Sequence, residues 1–194
     1  MRESNSINWL DSFSTAFSIS KSPSPHFNQR EEGQAISLIV LHNISLPPEK
    51  FAGHYIEDFF LGKLDASHHP YFETIQKLKV SSHLLIRRNG ETIQFVGLQD
   101  RAWHAGRSTF LGSSDCNDFS IGIELEGSDN QPFTEAQYQQ LIDICQLLLT
   151  HFPELSPQRI VGHSDIAADR KTDPGPFFQW RSFLKRLQMD SDAS

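Results

Sequence analysis

The apolar positions of this chain follow two periods. Ile36-Ser-Leu-Ile-Val-Leu41 is a nearly continuous apolar run rich in β-branched residues. That is the pattern of a strand buried on both faces. His42-Asn43 stand at its C-terminal end, and Pro47-Pro48 close the loop that follows. Phe119 to Leu125 alternates instead, with Phe119, Ile121, Ile123 and Leu125 on one face and Ser120, Gly122 and Glu124 on the other. Glu124 is therefore kept off the apolar face. Ser82 to Arg87 and Glu91 to Val96 flank Asn89-Gly90, a short-range hairpin signal. Arg159 to Gly162 predicts a short strand or sheet edge.

Helical spacing is clearest from Thr134 to His151, where Tyr138, Leu141, Ile142, Cys145, Leu148 and Leu149 form one stripe. Thr134 and Gln137 have the spacing of a capping box, and Pro153 stops the helix. Lys50 to Leu61 carries a weaker pattern in Phe51, Tyr55, Phe59 and Phe60, ended by Gly62. Phe177 to Leu187 predicts a final amphipathic helix.

The remainder obeys neither period. Residues 1–34 mix Ser, Pro, Asn and charge around a weak apolar cluster at Ile7, Trp9, Leu10 and Phe13. Ser22 to Phe27 predicts an extended arm laid over the domain. Asp65 to Gln76 reads as a loop with one helical turn, lying over a cleft. Asp100 to Asn117 is a long irregular segment, and such segments in compact domains are usually functional. With no repeat and no linker, the expectation is one α/β domain: a mixed central sheet flanked by helices over 35–188, an arm over 1–34 and a frayed tail over 189–194.

At 194 residues the chain can bury a sizeable core. Its formal net charge of -7 excludes a generic binder of nucleic acid or anionic membrane, which needs a basic surface. No apolar run is long enough to span a bilayer. Met1 to Leu10 has no apolar h-region of a secretory signal. Cys116 and Cys145 make no metal or redox spacing. Two free thiols in a reducing cytoplasm is the reading that follows.

Candidate chemistry concentrates in Ile160-Val-Gly-His-Ser-Asp-Ile-Ala-Ala-Asp-Arg-Lys-Thr-Asp-Pro-Gly-Pro176. This stretch is poor core material and reads as a rigid functional loop. His42, His163 and Asp173 could form a three-ligand zinc site with an open fourth position, and imidazole favours zinc over magnesium. Spacing alone is better explained by hydrogen-bonded histidines, because nine histidines offer many triplets.

The surrounding residues reverse that balance. Val40-Leu-His-Asn-Ile-Ser-Leu-Pro-Pro48, Arg101-Ala-Trp-His-Ala-Gly106, Asn117-Asp-Phe-Ser-Ile-Gly-Ile-Glu-Leu-Glu-Gly127 and Gly162 to Pro176 resemble the AmpD-type 1,6-anhydro-N-acetylmuramyl-L-alanine amidases. These form a cytoplasmic branch of a zinc amidase family that includes phage amidases and peptidoglycan recognition proteins. The resemblance spans roughly residues 20 to 187. It implies a peptidoglycan-recognition/amidase-like fold with residues 35–188 as catalytic domain.

It also implies zinc on His42, His163 and Asp173, with Glu124 and Lys171 beside the metal. Glu124 would move the proton and Lys171 would stabilise the oxyanion. Asn43, Trp103 and Arg170 are candidate substrate contacts. Lys79 is another, although close relatives carry arginine there and lysine lacks the bidentate fork. His104 is assigned to structure, His83 to a satisfied core or a ligand-supporting position, and the other five histidines to neither. The implied substrate is a small soluble anhydro-muropeptide, met by a cytoplasmic monomer with no nucleic-acid or membrane partner. The rival expectations are an amidase of intact cell wall and a non-catalytic peptidoglycan-binding module, in which a zinc ligand is typically lost.

Overall fold

The computed structural model describes residues 8–12 and 19–191. Ile7 and Phe13 of the expected N-terminal cluster, and residues 192–194 of the expected tail, lie outside the described residues.

A six-stranded mixed sheet forms the centre. Its order is β1 (Ile19–Lys21), β5 (Thr92–Gln94), β4 (Leu84–Ile86), β9 (Ser120–Glu126), β3 (Leu38–Ile44) and β10 (Ile160–Gly162). All neighbours are parallel except the β4–β5 pair. That hairpin turns at Gly90, whose φ of 87° is the left-handed geometry the Asn-Gly signal predicts. β3 and β9 are the two longest strands and pair along their whole length. This ladder brings strand-end residues of distant sequence together.

The helices cover both faces. On one side α3 (Glu135–His151) and α5 (Trp180–Ser191) pack on Ile39, Leu41, Ile121, Ile123 and Leu125. The Thr134–Gln137 capping box is formed, and Leu141, Ile142, Cys145 and Leu148 are buried as the stripe requires. Truncating Leu141 to Ala there would cost about 2–5 kcal/mol. On the other side α1 (Tyr55–Phe60) and α2 (Pro70–Ile75) cluster with Leu85, Ile93 and Phe95. A smaller cluster gathers Leu38, Val40, Ala105, Cys116 and Ile166 beneath the short α4 (His163–Ile166).

Some boundaries differ from expectation. The helix expected from Lys50 starts only at Tyr55, because Ala52 and Gly53 have positive φ and break the α path. The irregular Asp65–Gln76 segment holds more helix than one turn, since His69 caps α2 and Pro70 occupies its first position. The last helix begins at Trp180 and runs to Ser191, past the expected start of the frayed tail.

The N-terminal arm takes part in the sheets. β1 joins the main sheet, and β2 (Phe27–Gln29) pairs with β6 (Asp100–Ala102). Leu10 is fully buried. The segment from Asp100 to Asn117 also holds a minor hairpin of β7 (Thr109–Phe110) and β8 (Ser113–Ser114). Both cysteines are buried free thiols. No helix among the described residues is long and apolar enough to cross a membrane.

Candidate metal and catalytic site

Three ligand atoms converge at the C-terminal end of the central ladder. β3 delivers His42, the first residue of α4 is His163, and the loop after α4 returns Asp173 to both. His42 Nδ1 lies 3.0 Å from His163 Nδ1 and 2.9 Å from Asp173 Oδ2. His163 Nδ1 lies 3.1 Å from the same oxygen. A tetrahedral zinc with bonds near 2.0–2.1 Å needs ligand edges of about 3.3 Å, so this triangle is only slightly tight for the ion.

The loop is held by close contacts. Ser164 N donates to the Asp173 carbonyl at 2.9 Å. A Cβ on Gly162 would lie 2.7 Å from Pro174 Cδ, and one on Gly175 would lie 2.5 Å from Asp129 Oδ1. Both positions therefore require glycine so that the ligand loop can approach the sheet.

Protonation states suit a cation. Burial lowers His42 to about 4, so its imidazole is neutral. His163 Nε2 lies 3.0 Å from the Ala105 carbonyl, which can only accept. That contact selects the tautomer whose Nδ1 is bare toward Asp173. Two imidazoles and a carboxylate converging on one point are a donor set that could hold a metal ion such as zinc.

Glu124 pairs in register with His42 across the parallel strands, so both side chains emerge on one face. It is buried, and its Oε2 has no hydrogen-bond partner. Burial, and then the Asp173 charge, raise its carboxyl well above the ordinary value, while Lys171 opposes them. An unpaired buried carboxylate costs stability, which makes Glu124 a candidate acid/base group. Lys171 is exposed and lines the same cleft of about 510 Å³.

The four expected substrate contacts diverge. Trp103 lines the cleft and is braced from behind, its indole N–H donating to Asn28 Oδ1 at 2.6 Å. Asn43 also lines it, but its amide donates to Asp129 Oδ1 at 2.7 Å and to the Pro174 carbonyl at 3.1 Å, which ties β3 to the ligand loop. Arg170 lines the cleft as well. Its Nε and one terminal nitrogen donate to the carbonyls of Ala105 and Arg107, so part of its fork is engaged by backbone. Lys79 is exposed and absent from the cleft lining, although Leu78 and Val80 on either side belong to it.

Other residues gain roles that spacing did not indicate. His104, assigned to structure, places Nδ1 2.9 Å from His42 Nε2. Gly122 makes room for it, since a Cβ there would lie 2.5 Å from the His104 ring. A glycine inside an alternating strand was the available signal for this close approach. Asn117 Oδ1 accepts from the backbone N–H groups of His104 and Ala105. Arg30, from the arm, donates to the carbonyls of Asn117, Asp118 and Ser120 and so pins the same loop. His83 is fully buried and satisfied, accepting from Gly122 N at 3.0 Å.

A family model described as N-acetylmuramoyl-L-alanine amidase matches residues 32–176. The chain is 53% identical over 165 residues to the 1,6-anhydro-N-acetylmuramyl-L-alanine amidase AmpD of Haemophilus influenzae, covering 85% of this chain and 90% of that protein. For AmpD of Escherichia coli the figures are 51% over 161 residues, with 83% and 87% covered. A crystal structure of a selenomethionine AmpD derivative matches with a TM-score of 0.86 at 47% identity, covering 93% of this chain and 97% of that one. Escherichia coli AmiD, complexed with anhydro-N-acetylmuramic acid-L-Ala-D-γ-Glu-L-Lys, matches at 0.59 and 29%, covering 84% and 66%.

Fold and site thus define an α/β amidase. The chain belongs to the N-acetylmuramoyl-L-alanine amidase family, and it is similar to the AmpD members at about half of its positions.

Proposed function

We propose that this protein uses zinc to hydrolyse the amide bond between the lactyl group of 1,6-anhydro-N-acetylmuramic acid and L-alanine in soluble muropeptides. The setting is cytoplasmic peptidoglycan recycling. Similarity to the AmpD amidases over more than four-fifths of the chain supports the substrate class. The observation that carries the chemistry is the unpartnered Glu124 carboxylate beside the His42–His163–Asp173 cluster.

His42, His163 and Asp173 would hold zinc, which when bound acidifies the attacking water and polarises the scissile carbonyl. Glu124 accepts a proton from that water as its oxygen adds to the carbonyl carbon. As the C–N bond breaks, Glu124 returns the proton to the departing nitrogen of L-alanine. The Lys171 ammonium balances the negative charge that grows on the carbonyl oxygen. Trp103 offers an aromatic edge to the sugar or the peptide. Asn43 and Arg170 act by holding the ligand loop and its neighbour, and Lys79 has no direct part. Every group invoked comes from one chain, so a monomer suffices.

The test is metal content of the purified protein, followed by turnover of a defined anhydro-muropeptide before chelation, after it, and after zinc is restored. Loss and recovery of turnover with zinc is the expected result. Full activity without metal overturns the mechanism. Peptide release from purified sacculi as fast as from soluble fragments favours an amidase of intact wall. Binding without turnover favours a recognition module.

A further inference from the structure

Two hydrogen-bond chains end on the paired imidazoles. Ser120 Oγ lies 2.6 Å from the Cys116 carbonyl oxygen and 3.2 Å from His104 Nε2. A carbonyl only accepts, so the single hydroxyl proton points to it. Toward His104 the hydroxyl oxygen can then only accept, which puts the His104 proton on Nε2. The neutral ring consequently presents a lone pair at Nδ1. His42 Nε2, 2.9 Å from that lone pair, must donate to it. The proton of His42 is thereby held on the far side of the ring from Asp173.

The second chain is shorter. His163 Nε2 donates to the Ala105 carbonyl at 3.0 Å, and the Arg170 guanidinium fixes that carbonyl from the other side. Each Nε2 contact therefore selects the tautomer whose bare Nδ1 faces Asp173 Oδ2. In those tautomers three lone pairs meet at separations of 2.9–3.1 Å. Lone pairs so placed repel unless a cation lies between them.

We propose that Ser120 and His104 are positioning residues that set the tautomer of His42, as Ala105 and Arg170 set that of His163, so that the ligands are preset for zinc in the metal-free protein. The inference rests on the metal reading above. It also explains Gly122, the strand residue between Ser120 and Glu124, as the slot in which His104 sits. Backbone alone cannot supply this: the Cys116 carbonyl acts through two side chains before it reaches the ligand.

The experiment is a long-range ¹H–¹⁵N imidazole spectrum of the metal-free native protein, with zinc affinity measured by chelator competition. His42, His104 and His163 should all appear as Nε2–H tautomers. A proton on Nδ1 of His42 or His104 overturns the assignment, whatever the enzyme's activity. In Ser120→Ala the His104 and His42 signals should lose their single tautomer, and zinc should bind about 10- to 100-fold more weakly. Ser120→Thr, which keeps the hydroxyl, should restore both. A folded Ser120→Ala with native tautomers and native zinc affinity also overturns the proposal. Native tautomers in a protein that takes up no zinc support the presetting and overturn the metal reading instead. The native spectrum decides the matter even where a variant fails to fold.

Discussion

His42 and Glu124 are register partners in the parallel β3–β9 ladder, side by side on one face of the sheet. Neighbouring strands lie about 4.8 Å apart, so the His42 imidazole and the Glu124 carboxylate are set at nearly fixed separation by backbone pairing alone. Asp173 and Lys171 reach the same face from a loop 131 and 129 residues later than His42 in the chain. Half of the site is therefore rigid by construction, and half depends on how the loop is tied down.

Removing Asp173 should separate ligand loss from fold loss. Asp173→Ala takes away the only carboxylate of the cluster. Zinc retention and turnover are expected to vanish together, with the melting profile of the metal-free protein still cooperative. Metal analysis beside a thermal melt checks this, and an active metal-free variant would sink the zinc mechanism.

Glu124 should show opposite effects on activity and stability. In Glu124→Gln, kcat is expected to fall by about 10²- to 10⁴-fold while zinc remains bound. Because burial raises the native carboxyl, the folded metal-free protein holds this proton more tightly than the unfolded chain does. Stability from this group is greatest below the unfolded value and is lost as pH rises through the folded one. The neutral amide escapes that loss. Metal-free Glu124→Gln should therefore melt higher than the native protein at pH 7, and the gap should narrow toward pH 4.

Buried neutral imidazoles predict acid sensitivity. Burial lowers His42 to about 4 and His83 to about 3, against 6.5 for an ordinary imidazole. Below 6.5 the unfolded chain takes up protons that the folded state refuses, so stability falls as the medium is acidified. Each such histidine contributes up to about 1.4 kcal/mol per pH unit within its window. Urea unfolding of metal-free protein at pH 5, 6 and 7 should show the midpoint climbing with pH, and a flat profile would contradict it.

Arg170 distinguishes two kinds of arginine. Engaged with the Ala105 and Arg107 carbonyls, it should act through His163 and not through substrate carboxylates. Arg170→Ala is expected to weaken zinc binding, and to change KM equally for stem peptides with free and amidated carboxyl groups. A selective rise in KM for the free carboxylate would restore the substrate-binding role.

What could be read from residue order follows from local physics. The buried run before His42, the alternation around Glu124, the Asn89-Gly90 turn and the capped helix at Thr134 each depend on neighbours within a few positions, and each appears in the structure. The grouping of His42, His163 and Asp173 was legible because motif residues travel with it; its spacing alone was not decisive. The roles of Arg170 and Lys79 could not be read from charge, since charge does not tell whether a side chain meets a carbonyl, solvent or substrate.

Only the tertiary structure decided which histidines touch and that the buried Glu124 Oε2 remains unpartnered. Those properties depend on distances of about 3 Å between segments up to 131 residues apart. Strand register and loop ties set those distances, and no local pattern encodes them. The sequence by itself determined the strands, the helices and the company kept by His42, Glu124, His163 and Asp173. The packed chain turned that company into a site, because hydrogen-bond direction exists only once donor and acceptor have been brought together.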